Sequence, residues 1–153
     1  MKLRSEPAAA DLQAVKDWFQ ALADRVQAVD YEGAYPLVAD DMIAFGTFTD
    51  FMIGREPTVA NQWRNVWGTI RRFRWRLDEV HAIVSGDRLT GVGMAVFDSD
   101  GFTAEGERFD RRGRATVSFA RAKVGDLWVA THTHMSLFRG TPDRSHGAFS
   151  SPG

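Results

Sequence analysis

Two histidines near the C-terminal end of the chain carry its most direct chemical signal. His132 and His134 stand two apart in a stretch typical of a β-strand, so both side chains leave the same face. Two imidazoles at this spacing suit one metal ion, and either could act as a general acid or base near neutral pH. No acidic residue follows closely to complete a metal site. The alternative is a hydrogen-bonded pair on a packed sheet face, and we predict no metal.

A second candidate for acid–base chemistry is the pair Asp40-Asp41 together with Tyr35. A carboxyl and a phenol can share proton transfer when burial separates their pKa values. An Asp pair is also typical of the turn between a helix and a strand, and this structural role is the alternative. The candidate catalytic residues are therefore Asp41, Tyr35 and His134.

Aromatic residues could build a binding pocket. Trp63 and Trp67 lie one turn apart in a helical pattern, and Phe45, Phe48 and Phe97 fall on predicted strands. Such side chains could wall a pocket for a flat apolar ligand. The same spacing is also typical of an ordinary core, and in a cone-shaped fold core and pocket wall are continuous.

A run of basic residues lies in the middle of the chain, at Arg71, Arg72, Arg74 and Arg76. A phosphate or nucleic-acid site is possible there, but the net charge of −1 favours a solvated or salt-bridged face instead. No Gly-rich phosphate loop, Walker motif or Ser-His-Asp arrangement is visible. We predict no nucleic-acid partner.

The elements that position these residues follow from their periodicity. Apolar residues at steps of three and four predict a helix over 12–29, a short one over 31–39 and a third over 57–70. A strand is predicted at 42–48. From residue 72 the period changes to two, and its phase slips at Asp78, which predicts a β-bulge in a bent strand.

The remaining strands are predicted as a run. They cover 89–97, 114–122 and 127–138, with a loop or irregular edge over 98–112 and a disordered tail over 140–153. Helices followed by consecutive antiparallel strands predict an α+β fold. A curved sheet around three N-terminal helices forms a cone with an open mouth, a common geometry for small-molecule pockets.

Composition limits the functional classes. The chain has 153 residues and no cysteine, which suits one domain and excludes disulfides, thiolate metal sites and a cysteine nucleophile. No apolar run reaches the length of about 18 residues that a membrane span needs, and the first residues lack a signal-peptide pattern. We predict a cytoplasmic protein without a membrane partner.

Two stretches carry a resemblance to a known family, namely Phe51-Met52-Ile53-Gly54-Arg55-Glu56 and the pair of segments 113–119 and 128–136. In these the chain resembles the SnoaL-like families of the nuclear transport factor 2-like superfamily, over about residues 10–139. The last of these segments has Trp128, then His132 and His134 separated by one residue, then Ser136. This pattern is also similar to the association domain of calmodulin-dependent protein kinase II. The superfamily includes isomerases, dehydratases, cyclases, hydrolases, oligomerisation modules and transport factors, so the resemblance leaves function open.

The resemblance also implies which face of the last strand looks inward. In the kinase association domain the residue after His-x-His faces the pocket, and here that residue is Met135. The inward set would then be Val129, Thr131, Thr133, Met135 and Leu137. The outward set, available to a partner chain in a homodimer, would be Trp128, His132, His134 and Ser136. Some of these domains carry an arginine at the position of Met135, and its absence weighs against an anionic ligand at that position.

These observations combine into one prediction. Residues 1–139 form a single α+β domain, a cone-shaped curved antiparallel sheet with three N-terminal helices in its concavity. It binds a small apolar or aromatic molecule without a cofactor, either as a plain binding protein or as an isomerase or dehydratase. A non-catalytic oligomerisation or binding module is the alternative. The predicted ligand-binding residues are Phe45, Trp63, Trp67, Phe97, Thr133 and Met135.

Overall fold

The N-terminal half of the chain holds the helices. The structure is a computed structural model that describes residues 1–148. Its helices are α1 (Ala9–Ala28), α2 (Tyr31–Ala34), α3 (Arg55–Thr58) and α4 (Arg64–Val66). A 3₁₀ turn at Tyr35–Leu37 follows α2, a π-helical turn at Val59–Trp63 joins α3 to α4, and a 3₁₀ turn at Trp67–Thr69 completes that segment. Within residues 1–148 no helix combines the length and apolar character needed to cross a membrane.

Within residues 1–148 one sheet holds seven strands. They are β1 (Val38–Phe45), β2 (Phe51–Ile53), β3 (Arg71–Trp75), β4 (His81–Val84), β5 (Thr90–Phe102), β6 (Arg108–Ala120) and β7 (Val129–Leu137). Their order is β2-β1-β7-β6-β5-β3, with β4 also paired to β5. Every pairing is antiparallel except that of β1 with β7. The sheet is curved and unclosed with helices in its concavity, which confirms the predicted α+β cone.

The apolar stripe of α1 packs into the concave face of the sheet. Phe19 is fully buried there, with its ring centroid 4.7 Å from that of Trp75. The helix can approach this closely because Gly93 on β5 has no side chain. A Cβ atom at Gly93 would lie 2.8 Å from the ring of Phe119 and 2.9 Å from Val15. Glycine at this position therefore makes room for the core.

The predicted bulge at Asp78 is wrong. A 3₁₀ turn at Leu77–Glu79 separates β3 from β4, and both strands then pair with β5. The turn changes which residues face inward, and so it produces the same phase slip that a bulge would give. The irregularity in this region lies earlier, within β3, where Arg72 has a positive φ of 54° and the register shifts.

The predicted loop over 98–112 is also wrong, because β5 and β6 continue through most of it. Asp98 lies opposite Arg112, and Asp100 opposite Asp110. Asp98 accepts two hydrogen bonds from Arg76, and Asp100 accepts two from Arg72. Charged residues that suggest a loop in the sequence here form ion pairs across the strands. Part of the basic run is thereby a salt-bridged face.

The last strand contains an irregularity that changes which residues face inward. Ser118 on β6 lies opposite His132, but the next residue, Phe119, lies opposite Ala130, so Thr131 is an extra residue in β7. Thr131, predicted to face inward, is therefore exposed. The predicted inward set holds only for the residues after it, Thr133, Met135 and Leu137. Trp128, predicted to face outward, is instead buried inside the domain.

The start of the predicted disordered tail packs against the domain. The side chain of Ser145 is buried; its hydroxyl donates to the carbonyl of Thr69 over 2.6 Å and accepts from the backbone N–H of Phe102 over 3.0 Å. The backbone N–H of His146 donates to the carbonyl of Phe102. The rest of the predicted tail, residues 149–153, lies outside the described residues.

Candidate functional site

A cavity of about 40 Å³ lies between the helices and the concave face of the sheet. It is bordered by α1, by the helical segment 55–69 and by strands β1, β5, β6 and β7. One ordered water needs roughly 10–15 Å³ of such space, so the cavity as it stands holds a few water-sized groups. A ligand that carries a ring would have to displace wall side chains.

Aromatic rings form much of the cavity wall. Trp63 and Trp67 stack with ring centroids 4.6 Å apart and planes at 19°. Across the cavity Phe97 packs against Phe73, with centroids 5.2 Å apart. All four residues are buried. The side chains offer a flat, apolar surface of the kind that binds rings and short aliphatic chains.

The structure brings the predicted ligand-binding residues to this cavity, with one difference. Trp63, Trp67, Phe97, Thr133 and Met135 all border it, and so does Phe45. The ring of Phe45, however, lies against exposed groups rather than in the core. Its centroid is 4.4 Å from that of Phe51 and 5.1 Å from that of His134. Phe45 therefore borders the cavity from β1 while its ring covers the outer face.

Gly113 on β6 sets the position of one wall. A Cβ atom there would clash with the ring of Phe97 and lie 2.5 Å from the backbone carbonyl oxygen of Ser136. The missing side chain allows the Phe97 ring to pack directly on the backbone of Gly113. The cavity wall thus depends on a glycine as much as on the aromatic ring.

Arg111 is the one charged side chain that borders the cavity within the described residues. It belongs to the inward row of β6 and is only 3% exposed. Burial lowers the pKa of its guanidinium to about 10, so it remains charged at neutral pH. Its side chain donates one long hydrogen bond, 3.4 Å, to Thr47 Oγ1, and no carboxylate within residues 1–148 forms an ion pair with it.

Gln62 is a second polar residue in the apolar wall. Its Nε2 donates to Thr47 Oγ1 over 3.1 Å, while its Oε1 is buried without a hydrogen-bond partner. The carboxamide packs against Gly46, where any Cβ atom would overlap it. Thr47 therefore accepts from both Arg111 and Gln62, and the three side chains form one polar cluster at the cavity wall.

The candidate catalytic residues lie elsewhere. Asp41 is exposed, and Tyr35 lies beneath the guanidinium of Arg55, 4.2 Å from its ring centroid. Arg55 also pairs with Asp40 over 2.7 Å. His134 is exposed on the outer face of β7. None of the three candidates borders the cavity.

The two histidines of β7 lie on the outer face, where each contacts β1. His132 Nδ1 lies 2.6 Å from the carbonyl oxygen of Ile43. A carbonyl only accepts hydrogen bonds, so this ring nitrogen carries the proton. His134 packs against Phe45 instead. Within residues 1–148 no three His, Cys, Asp or Glu side chains lie close enough to hold a metal ion.

Sequence reasoning missed Arg111 and Gln62 for separate reasons. Arg111 falls in the stretch predicted as a loop. It stands two residues from Phe109 and two from Gly113, so on a strand all three side-chain positions share one face. Gln62 precedes Trp63 in the π-helical turn, and a glutamine beside a tryptophan gives no sign in the sequence that it is buried. Such π-helical turns are frequent at functional sites.

Comparison with known proteins shows the family. The profile of the SnoaL-like domain matches residues 11–139, and the chain belongs to that family. A comparison with curated proteins gave no match.

Solved structures show the same fold at low identity. An NTF2-like superfamily protein from Salmonella enterica serovar Typhimurium superposes with a TM-score of 0.70 at 14% identity, covering 88% of this chain and 95% of the other. A ketosteroid isomerase-like protein from Erwinia carotovora gives 0.68 at 12%, covering 88% and 100%. The association domain of C. elegans CaMKII gives 0.63 at 18%, covering 83% and 95%.

Proposed function

We propose that this protein binds a small, largely apolar molecule in its cone cavity. The observation that carries the proposal is a buried cavity with stacked Trp63 and Trp67 on one side and Phe97 on the other. Apolar surface that a ligand buries there contributes roughly 25 cal/mol per Å². A ligand with one ring or a short aliphatic chain fits such walls better than a sugar or a nucleotide does.

Binding without proton transfer is favoured over an isomerase or dehydratase activity. A general base must lie within hydrogen-bond reach of the proton it removes. Asp41, Tyr35 and His134 all lie outside the cavity, and within residues 1–148 no Asp, Glu, His, Tyr or Lys borders it. Arg111 and Gln62 are suited to hold a ligand rather than to exchange protons with it.

A cytoplasmic location, favoured by the lack of cysteine, stays a prediction.

The binding proposal predicts a large effect of Trp67→Ala. Fluorobenzene, a neutral probe followed by ¹⁹F NMR titration, should bind the variant at least roughly tenfold more tightly than the wild type, because loss of the indole enlarges an apolar cavity in which the ring must otherwise displace wall side chains. Trp128→Leu is the matched control, since Trp128 is equally buried but packs against Phe119 and Arg121 away from the cavity. If the two variants bind the probe equally well, the cavity is not the binding site.

We also propose that the outer face beside β2 pairs with a second copy of the chain. Phe51 and Ile53 are 67% and 70% exposed, and Ile43 lies opposite Ile53. An exposed apolar group of this kind often marks an interaction surface, and two-fold pairing is the commonest way to cover one. The names of two similar structures, an association domain and a hub of CaMKII, support assembly through this fold.

The dimer proposal predicts that Phe51→Asp makes the protein a monomer. Sedimentation velocity at micromolar concentration should give a dimer for the wild type and a monomer for the variant, because a buried unpaired carboxylate strongly disfavours the interface. Leu127→Asp is the control, since Leu127 is 81% exposed in the turn before β7. A wild-type monomer, or a variant that still dimerises, would refute the proposed interface.

A further inference from the structure

Arg111 places a cation at the cavity wall, and no carboxylate within residues 1–148 neutralises it. A guanidinium has five N–H donors, and the Arg111 side chain uses one of them, in the long bond to Thr47. Its guanidinium also lies over the ring of Phe97, 5.9 Å from the centroid. Buried charges in proteins are normally paired, because an unpaired one loses its hydration without compensation. In the part of the chain that the structure describes, Arg111 therefore lacks an anionic partner.

The carboxamide of Gln62 independently indicates a polar ligand group at the same place. Gln62 is 8% exposed, and one of its two amide atoms has no partner. Rotation of the carboxamide by a half turn exchanges the roles of these atoms. Its oxygen can then accept from the hydroxyl of Thr47, while Thr47 still accepts from Arg111, and the amide N–H group is left free to donate. In that arrangement both Arg111 and Gln62 offer donors to one acceptor group.

Arg111 stands at one end of the cavity. It borders both the apolar cavity and a surface cleft formed by Phe48, Asn65, Thr69 and the segment 143–145. The tryptophan pair borders the cavity but not this cleft. A ligand that spans the site would therefore place its charged end at Arg111 and its apolar end against Trp63 and Trp67.

We propose that the ligand is a small carboxylic acid with an aromatic or aliphatic body, its carboxylate held by Arg111 and Gln62. A carboxylate matches the planar guanidinium with two parallel hydrogen bonds. It also carries the single negative charge that one buried cation neutralises, whereas a phosphate would bring more charge than one arginine balances. The proposal rests on the proposed binding function of the cavity and adds the chemical class of the ligand.

The test compares an acid with its neutral counterpart. 4-Fluorophenylacetate and 4-fluorophenylacetamide have nearly the same shape and differ in charge, and both can be titrated at pH 7 by ¹⁹F NMR. The wild type should prefer the acid roughly tenfold or more, as expected for charge-assisted hydrogen bonds. Arg111→Met should lose this preference while its affinity for the amide changes little. Arg111→Lys should keep part of the preference, and Gln62→Leu should reduce it.

The outcomes separate the two proposals. If the wild type binds neither probe nor fluorobenzene, the binding function itself is refuted. If it binds acid and amide equally, or if Arg111→Met keeps the preference for the acid, only the carboxylate assignment is refuted. Arg111→Met should unfold at the same temperature as the wild type or higher without ligand, because it removes a buried unpaired charge. If the Met variant does not fold, Gln62→Leu provides the test, and an undiminished preference for the acid in that variant refutes the carboxylate assignment.

Discussion

Replacing Asp11 by Ala is expected to lower the free energy of unfolding by roughly 3 kcal/mol, the usual effect of breaking a buried ion pair. Asp11 lies in the first turn of α1 and is 2% exposed. Its carboxylate accepts two hydrogen bonds from Arg88, at 2.7 and 3.1 Å, and one from Arg121 at 2.7 Å. These contacts tie the first helix to the loop before β5 and to the end of β6.

The loss is large because of what remains after the substitution. The Arg121 side chain is also buried, 3.9 Å above the ring centroid of Trp128. Without Asp11 it loses its carboxylate partner. A change of this size should lower the melting temperature by roughly 6–12 °C in a domain of this length. Calorimetry or circular dichroism would measure it.

Asp17→Ala is the matched control for Asp11. Asp17 lies on the same helix, is exposed, and accepts a hydrogen bond from Gln13 one turn earlier. Its replacement should change the unfolding free energy by no more than about 0.5 kcal/mol. If the two variants melt at the same temperature, the ion pair does not stabilise the domain.

The same carboxylate predicts a pH dependence. Hydrogen bonds from Arg88 and then Arg121 hold the pKa of Asp11 below its ordinary value, against the opposing effect of burial. The folded carboxyl therefore has a lower pKa than the unfolded one. Its contribution is fully present above the unfolded pKa and is lost as the pH falls through the folded pKa. The stability difference between wild type and Asp11→Asn should accordingly shrink below about pH 4.

Replacing Gly113 by Ala is expected to cost roughly 2 kcal/mol of stability through overpacking, and to weaken ligand binding as well. The added methyl group would press on the ring of Phe97 and on the carbonyl of Ser136. A backbone carbonyl in the middle of a sheet cannot move aside as a flexible side chain can. The ring of Phe97 must therefore shift, and Phe97 borders the cavity.

The Gly113 prediction needs both a stability and a binding measurement. Thermal denaturation gives the first, and ¹⁹F NMR titration with fluorobenzene gives the second. Gly86→Ala is the control, because nothing lies within 4 Å of a Cβ atom there. Equal melting temperatures for the Gly113 and Gly86 variants would contradict the packing argument. Unchanged binding in the Gly113 variant would show that Phe97 does not form the wall.

Local patterns in the sequence predicted the elements that depend on a single period. The steps of three and four in α1 identified its buried face, including Phe19. Alternation and aromatic spacing identified Trp63, Trp67 and Phe97, which border the cavity. Each of these assignments follows from the regular geometry of one helix or strand, and such geometry depends little on what lies opposite. The role of the three aromatic residues in binding stays a prediction.

The features that only the tertiary structure decided involve distant parts of the chain. Arg72 and Asp100 pair across β3 and β5, and that pairing turns an apparent loop into strand. The extra residue at Thr131 arises from the register between β6 and β7, and it moves Trp128 from the outer face to the core.

The polar end of the candidate site is the clearest case. The sequence by itself determined that residue 111 is an arginine and that 62 is a glutamine, but both types are most often exposed. Their burial follows from the pairing of β6 in the concave sheet and from the π-helical turn that covers it. Charge and hydrogen-bonding capacity are properties of a residue, whereas the loss of its water and the lack of a partner depend on every element packed around it.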